Sequence, residues 1–166
     1  NIIVGGSFDA TANFNPSGTA YNLSSAGLSD AYLAKYSPAG AMLWAFKVGS
    51  SSDETIYHLA LAPNGNIYTS GTYYSNPLDL NPAAATNNIS KLGFYNAFVA
   101  GYTANGSYVS GFGLGFDEPL LSPVITVNPA TGNVYAAIGL HDTLRLTNLS
   151  GGTYILPQNP SDICVL

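Results

Sequence analysis

Short runs in which apolar residues alternate with small or polar ones, each closed by Gly, Asn or Pro, fill the chain from end to end. In "DAYLAKY" (Asp30 to Tyr36), Ala31, Leu33 and Lys35 fall on one side of an extended backbone and Tyr32, Ala34 and Tyr36 on the other. That two-residue period is a strand's, and the β-branched and aromatic residues of such runs suit a pleated surface. "SPAG" (Ser37 to Gly40) then leads into "AMLWAFKVG" (Ala41 to Gly49). A Gly-ended tight turn between two alternating runs predicts a hairpin, with Gly supplying the positive φ. No stretch of about ten residues joins a helical apolar period to helix caps, so helices and a parallel βαβ layout are not expected.

The pattern also repeats. "SDAYLAKYSPAG" (Ser29 to Gly40) returns 66 residues later as "YNAFVAGYTANG" (Tyr95 to Gly106), and "SDICVL" (Ser161 to Leu166) begins it a third time. Units start at "NIIVGGSF" (Asn1), "NIYTSGTY" (Asn66) and "NVYAAIGL" (Asn133), the later two preceded by the Gly-ended turns "APNG" and "NPATG". Within them "NFNP" (Asn13 to Pro16) matches "DLNP" (Asp79 to Pro82), and "AMLWAFKVG" matches "SYVSGFGLG" (Ser107 to Gly115). "DETIYHLALAPNGN" likewise matches "DEPLLSPVITVNPATGN". The chain thus divides into repeats at 1–65 and 66–132 and a partial repeat at 133–166.

Each full unit reads as four short strands. Four antiparallel strands per repeat make a β-propeller blade, with neighbouring blades burying each other's faces. The expected fold is all-β, a partial propeller of about 2.5 repeats of about 66 residues. Because closed propellers take about four to eight blades, such a fragment would leave apolar faces and strand edges in water. The expectation is a piece of a longer polypeptide, or a chain whose half blade is completed by other subunits.

Composition narrows the partners. The 166 residues are 46% hydrophobic and 8% charged, enough to build a core. Four Lys and Arg against nine Asp and Glu leave a net charge of -5. Without a basic patch, neither nucleic acid nor an anionic membrane surface is an expected partner. No apolar run approaches the roughly 18–20 residues of a membrane span, and an export signal would lie outside these residues. The lone cysteine, Cys164, reads as a small buried hydrophobe. A surface of Ser, Thr, Asn, Gly and Tyr in place of charge points to an exported protein.

The order "G-x-F... NP... G-x-SDAYLAKYSPAGAMLWAFKVGSSSDE... LALAPNGNIYTSG" resembles the bacterial β-propeller repeat family known as SBBP, over essentially the whole chain. The resemblance implies tandem blades in a secreted or cell-surface protein, often beside adhesion or sorting modules, and no common reaction. Unit two departs from it, with Ser110 in place of Trp44 and Gly101 in place of Lys35. The function expected on this basis is a non-catalytic scaffold, adhesion or protein-interaction segment. The alternative is a carbohydrate-binding propeller.

Candidate chemistry is sparse. Asp53-Glu54 and Asp117-Glu118 are paired carboxylates, and a glycosidase needs two roughly 5–9 Å apart. Neighbours on a strand face opposite ways, however, so a turn or strand-start role is expected instead. "NFNP" and "DLNP" offer oxygens of the kind Ca²⁺ accepts, although the third unit has "RLTN" (Arg145 to Asn148) there. An ion would take Asp9, Asn13 and Asn15, or Asp79 and Asn81. No other cofactor is expected. His58 and His141 lack a metal-binding neighbourhood, and no nucleophile elbow, P-loop or dinucleotide fingerprint occurs. Aromatic rings can stack on sugars, and Tyr21, Tyr73, Tyr74 and Tyr95 lie near predicted strand ends, which makes them candidate glycan contacts. The competing role for such tyrosines, and for Trp44, is packing between blades.

Overall fold

The structure is a computed structural model that describes residues 1–117, 119, 122–139, 144–146 and 163–165. It is all-β, with no helix among the described residues. Three strands, β1 (Ile2–Asn13), β2 (Asn22–Tyr36) and β3 (Met42–Val48), form the first sheet. The central sheet runs β4 (Glu54–Leu61), β5 (Ile67–Tyr73), β8 (Tyr95–Tyr102) and β9 (Tyr108–Phe116), with β12 (Arg145–Leu146) on the outer edge of β9. A two-stranded hairpin, β6 (Leu78–Asp79) and β7 (Asn88–Ile89), lies between β5 and β8 in the chain. The third sheet joins β10 (Val124–Val127), β11 (Val134–Gly139) and β13 (Ile163–Val165). Every named pairing is antiparallel.

The sequence repeat survives as strand register. Ser7 pairs with Ala31, Thr72 with Ala97 and Gly139 with Ile163, the same positions in three successive units. A register shift between Lys35 and Tyr36 recurs between Gly101 and Tyr102. The turns that follow are twins as well. Ser37 N–H donates to Ala41 O and Thr103 N–H to Ser107 O, each at 2.8 Å. Gly40 and Gly106 close them at φ of 83° and 84°, a region costly for any residue with a Cβ.

Sheets and repeats are out of phase. Asn66 sits in the turn between β4 and β5, inside the central sheet, whereas the sheets change over at 49–53 and 117–123. The first sheet lies wholly within the first unit, whereas the central sheet joins β4 of the first unit to β5, β8 and β9 of the second, and the third sheet joins β10 of the second unit to β11 and β13 of the third.

Strand length differs between the units. β1 and β2 are long, at 12 and 15 residues, where short strands were expected. The matching stretches of unit two break into β5 plus β6 and β7 plus β8. Pro77 stands at the position of Thr11, which pairs with Ser24 in the first sheet, and proline has no N–H for a ladder.

The core follows the two-residue period of β8. Phe98, Ala100 and Tyr102 pack with Ala31, Leu33 and Val48 of the first sheet and with Leu78, Leu80 and Ile89 of the hairpin. On the opposite face, Ala97 and Val99 pack with Ile125, Ala136 and Ile138 of the third sheet. The central sheet is thus covered on both faces by its neighbours in the chain, which is why β8 is buried along nearly its whole length. In the first sheet, Phe14 and Leu23 fold back over Ala34, Ala45 and Tyr36. Among the described residues the sheets close into neither a barrel nor a ring.

Candidate functional site

The loops that carry the predicted calcium ligands are built by one repeated device. Asn13 Oδ1 accepts the N–H of Asn15 at 3.0 Å and of Tyr21 at 2.9 Å. Asp79 Oδ1 accepts the N–H of Asn81 at 2.9 Å and of Asn87 at 2.7 Å. The side chain imitates a backbone turn and ties the two ends of its loop together. Below each loop a tyrosine acts as floor: Tyr36 Oη donates to Phe14 O at 2.8 Å, and Tyr102 Oη donates to Leu80 O at 2.9 Å. Burial pushes the Tyr102 hydroxyl well above the ordinary range, with Tyr108 and Asp79 adding to the shift. Asn15 Nδ2 donates to Thr19 O at 2.8 Å, Asn81 Oδ1 accepts the N–H of Ala83 at 3.0 Å, and Asp9 is exposed beside Ala10, whose φ is 54°. Asn13 and Asp79 thus each commit an oxygen to loop closure, and among the described residues no three His, Cys, Asp or Glu gather in a metal-holding group.

Above the Asp79 loop the first and central sheets meet. Trp44 stacks on Phe46 at 5.5 Å, and Phe46 lies 4.9 Å from the Tyr102 ring. Lys35 Nζ and Trp44 Nε1 both donate to Ala104 O, at 2.7 and 3.3 Å. The first sheet therefore grips the β8–β9 turn by a charge-assisted bond and an aromatic slab, and Trp44 packs between sheets as expected from sequence. A side chain at Gly106 would meet carbon atoms of Phe46 and Trp44 at 3.3 Å, so this close fit needs glycine.

A cleft of about 390 Å³ opens at this junction. Phe46 forms one wall, the segment from Asn81 to Ala83 a second, and the turn from Asn105 to Tyr108 the third. No charged side chain lines it. Asn81 is the one candidate from the sequence that reaches this cleft. The others were missed, though aligning "TANGSY" with "SPAGAM" exposes them, because polar and aromatic residues replace Ala and Met there.

The aromatic candidates lie elsewhere. Tyr21 is exposed on the loop after β1, and its N–H and carbonyl serve that loop. Tyr73 is fully buried, donates to Ser90 O at 2.8 Å and packs edge-on against Phe98, which takes its ring out of reach of a ligand. Burial alone raises its hydroxyl pKa. Tyr74 is exposed, with Lys91 Nζ 6.0 Å from its ring centre. Tyr95 starts β8 opposite Phe116 and packs against the second core cluster.

The carboxylates are structural in their contacts. Glu54 is fully buried and accepts N–H bonds from Ser50 and Ser75, both at 3.0 Å, stapling the β3–β4 loop to the exit of β5. Asp53 accepts the Ser29 hydroxyl at 2.8 Å. Asp30, also fully buried, accepts from Lys47 at 2.6 Å and from the Ala26 N–H at 3.0 Å. Its unit-two counterpart is Asn96, which accepts from Leu92 and Gly93 and donates to Gly93 O. A hydrogen bond from Arg145 holds Asp117 below the usual carboxylate range. His58 lies in β4, and Glu118, His141, Asn148 and the side chain of Cys164 fall outside the described residues. No protein-family model, curated protein or solved structure matches this chain.

Proposed function

We propose that these residues form a non-catalytic segment of an exported bacterial β-propeller resembling the SBBP repeat, serving at the cell surface as a rigid scaffold for adhesion or protein interaction. Further blades of the same polypeptide, or other subunits, complete it. The observation that carries this reading is the central sheet: four long antiparallel strands, β4 of the first repeat and β5, β8 and β9 of the second, edged by the two-residue β12 and covered on each face by the sheet next to it in the chain. That is how a propeller blade is placed between its neighbours. The outer sheets offer surface for continuing the stack or meeting a partner, including Val124 and Tyr135 of the third. A weakly charged exterior with exposed aromatics such as Phe94 and Tyr57 favours contact with proteins over contact with polyanions. Of the four tyrosines behind the glycan alternative, Tyr73 is sealed inside while Tyr21 and Tyr74 are exposed.

Negative-stain electron microscopy of the full native polypeptide tests the architecture. Class averages should show rings with a central channel. Elongated stacks would overturn the propeller.

A further inference from the structure

The β8–β9 turn carries chemistry that its twin in the first sheet lacks. Both turns close with the same 2.8 Å bond and a glycine at nearly the same φ. Yet the first has Ala39, Ala41 and Met42 where the second has Asn105, Ser107 and Tyr108. The turn's own geometry therefore requires no amide, hydroxyl or phenol at these three positions.

Nor do the described residues engage these polar groups. Among the described residues, the side-chain amide of Asn105, the Ser107 hydroxyl and the Tyr108 hydroxyl have no hydrogen-bond partner, and neither has Asn81 Nδ2. All four residues line the cleft beside the Phe46 ring. Its volume, about 390 Å³, lies within the roughly 300–1,000 Å³ of small-molecule sites.

A lining without charge offers an anion no cation and a cation no carboxylate. Unspent neutral donors and acceptors around two aromatic rings suit a ligand with hydroxyls at its rim and C–H groups on its face. We propose that this cleft binds a neutral sugar unit of a polysaccharide, with Phe46 and Tyr108 supplying apolar surface and Asn81, Asn105 and Ser107 meeting hydroxyls. The proposal goes beyond the scaffold reading and needs no closed ring, because one sheet junction makes the whole site.

Isothermal titration calorimetry on the full native polypeptide, with cellohexaose, mannohexaose and chitohexaose as probes and hexagalacturonate as the anionic comparison, tests this. At least one neutral probe should bind saturably and more tightly than hexagalacturonate. The triple variant N105A/S107A/Y108F removes these polar groups and keeps the ring that packs edge-on against Tyr102, so it should unfold at nearly the same temperature while its affinity for that probe falls about tenfold or more. Asn105→Ala alone, at a solvent-facing turn position, should weaken binding severalfold and guards against a misfolded triple variant. Absence of binding by all three neutral probes, equal binding by the variants, or preference for hexagalacturonate would each overturn the proposal.

Discussion

Asp30 and Lys47 share an ion pair but not an environment: the Asp30 side chain is 0% exposed and that of Lys47 is 31% exposed. Removing one partner should therefore cost far more than removing the other. Lys47→Ala strands a charged carboxylate in a site closed to water, with Ala26 N–H as its remaining donor. Asp30 Oδ1 already lacks a partner among the described residues, and Gly49 sits so close that a Cβ there would come within 2.2 Å of Asp30 Cγ. Nothing nearby can compensate, so the cost should be roughly 3–5 kcal/mol. Asp30→Asn keeps an oxygen for Ala26, and the freed ammonium can turn into solvent. Its cost is the lost charge-assisted bond, about 1.5–2 kcal/mol. The double variant D30N/K47A removes both charges, as unit two does with Asn96 and Gly113 at these positions. It should be more stable than Lys47→Ala alone, with a coupling of about 2 kcal/mol. Urea unfolding of the four proteins at constant m gives these differences directly. Equal costs for the two single variants, or strict additivity, would refute the reasoning from burial.

Three further outcomes are expected. Tyr102→Phe leaves the Leu80 carbonyl unpaired in the core and should cost about 1–2 kcal/mol by thermal or urea unfolding, whereas Tyr36→Phe, half-exposed above Phe14, should cost less because water can replace its hydroxyl. Burial raises the hydroxyl pKa of Tyr73 and Tyr102 above the unfolded value of about 10. Their contribution is then fully present below pH of about 10 and is lost as pH rises beyond it, by roughly 1.4 kcal/mol per pH unit for each. Phenolate absorbance compared in wild type, Tyr73→Phe and Tyr102→Phe should show these two ionising only as the circular dichroism of the fold disappears. Finally, EDTA or added calcium should leave the unfolding temperature within about 1 °C, since Asn13 and Asp79 each spend an oxygen on two backbone N–H groups. A rise of several degrees with calcium would show a site in these loops.

Local features were the most legible. The Gly-ended turns at Gly40, Gly65, Gly106 and Gly132 all take positive φ, and the alternation in "DAYLAKY" and "NAFVAGY" became two paired strands. Glu54 begins a strand, one of the two roles expected of the Asp53-Glu54 pair, but its double backbone staple depends on Ser75, which lies 21 residues away. Sheet phase was hidden for the same reason. The repeat shows where a unit recurs, not which of its strands pairs across the border, because any 66-residue window repeats equally well. Tyr73 and Tyr74 looked alike as neighbouring aromatics at a strand end, yet neighbours in an extended chain face opposite ways, so one fills the core and the other meets solvent. The cleft was hardest to see, since Phe46 and Tyr108 come together only after two sheets have stacked.

The offset between repeat and sheet has a consequence for how such a gene can change length. An unequal crossover between two repeats deletes or adds one period, and the new joint places a strand of one unit beside a strand of another. Because Ser7–Ala31, Thr72–Ala97 and Gly139–Ile163 are one register, the hybrid sheet pairs as its parents did wherever the crossover fell. The first period holds the β1–β3 sheet but lends β4 to the sheet of the next, so an added copy is stitched into its neighbour through that strand. A copy gained or lost at such a joint should then leave the strand pairing on either side of it intact.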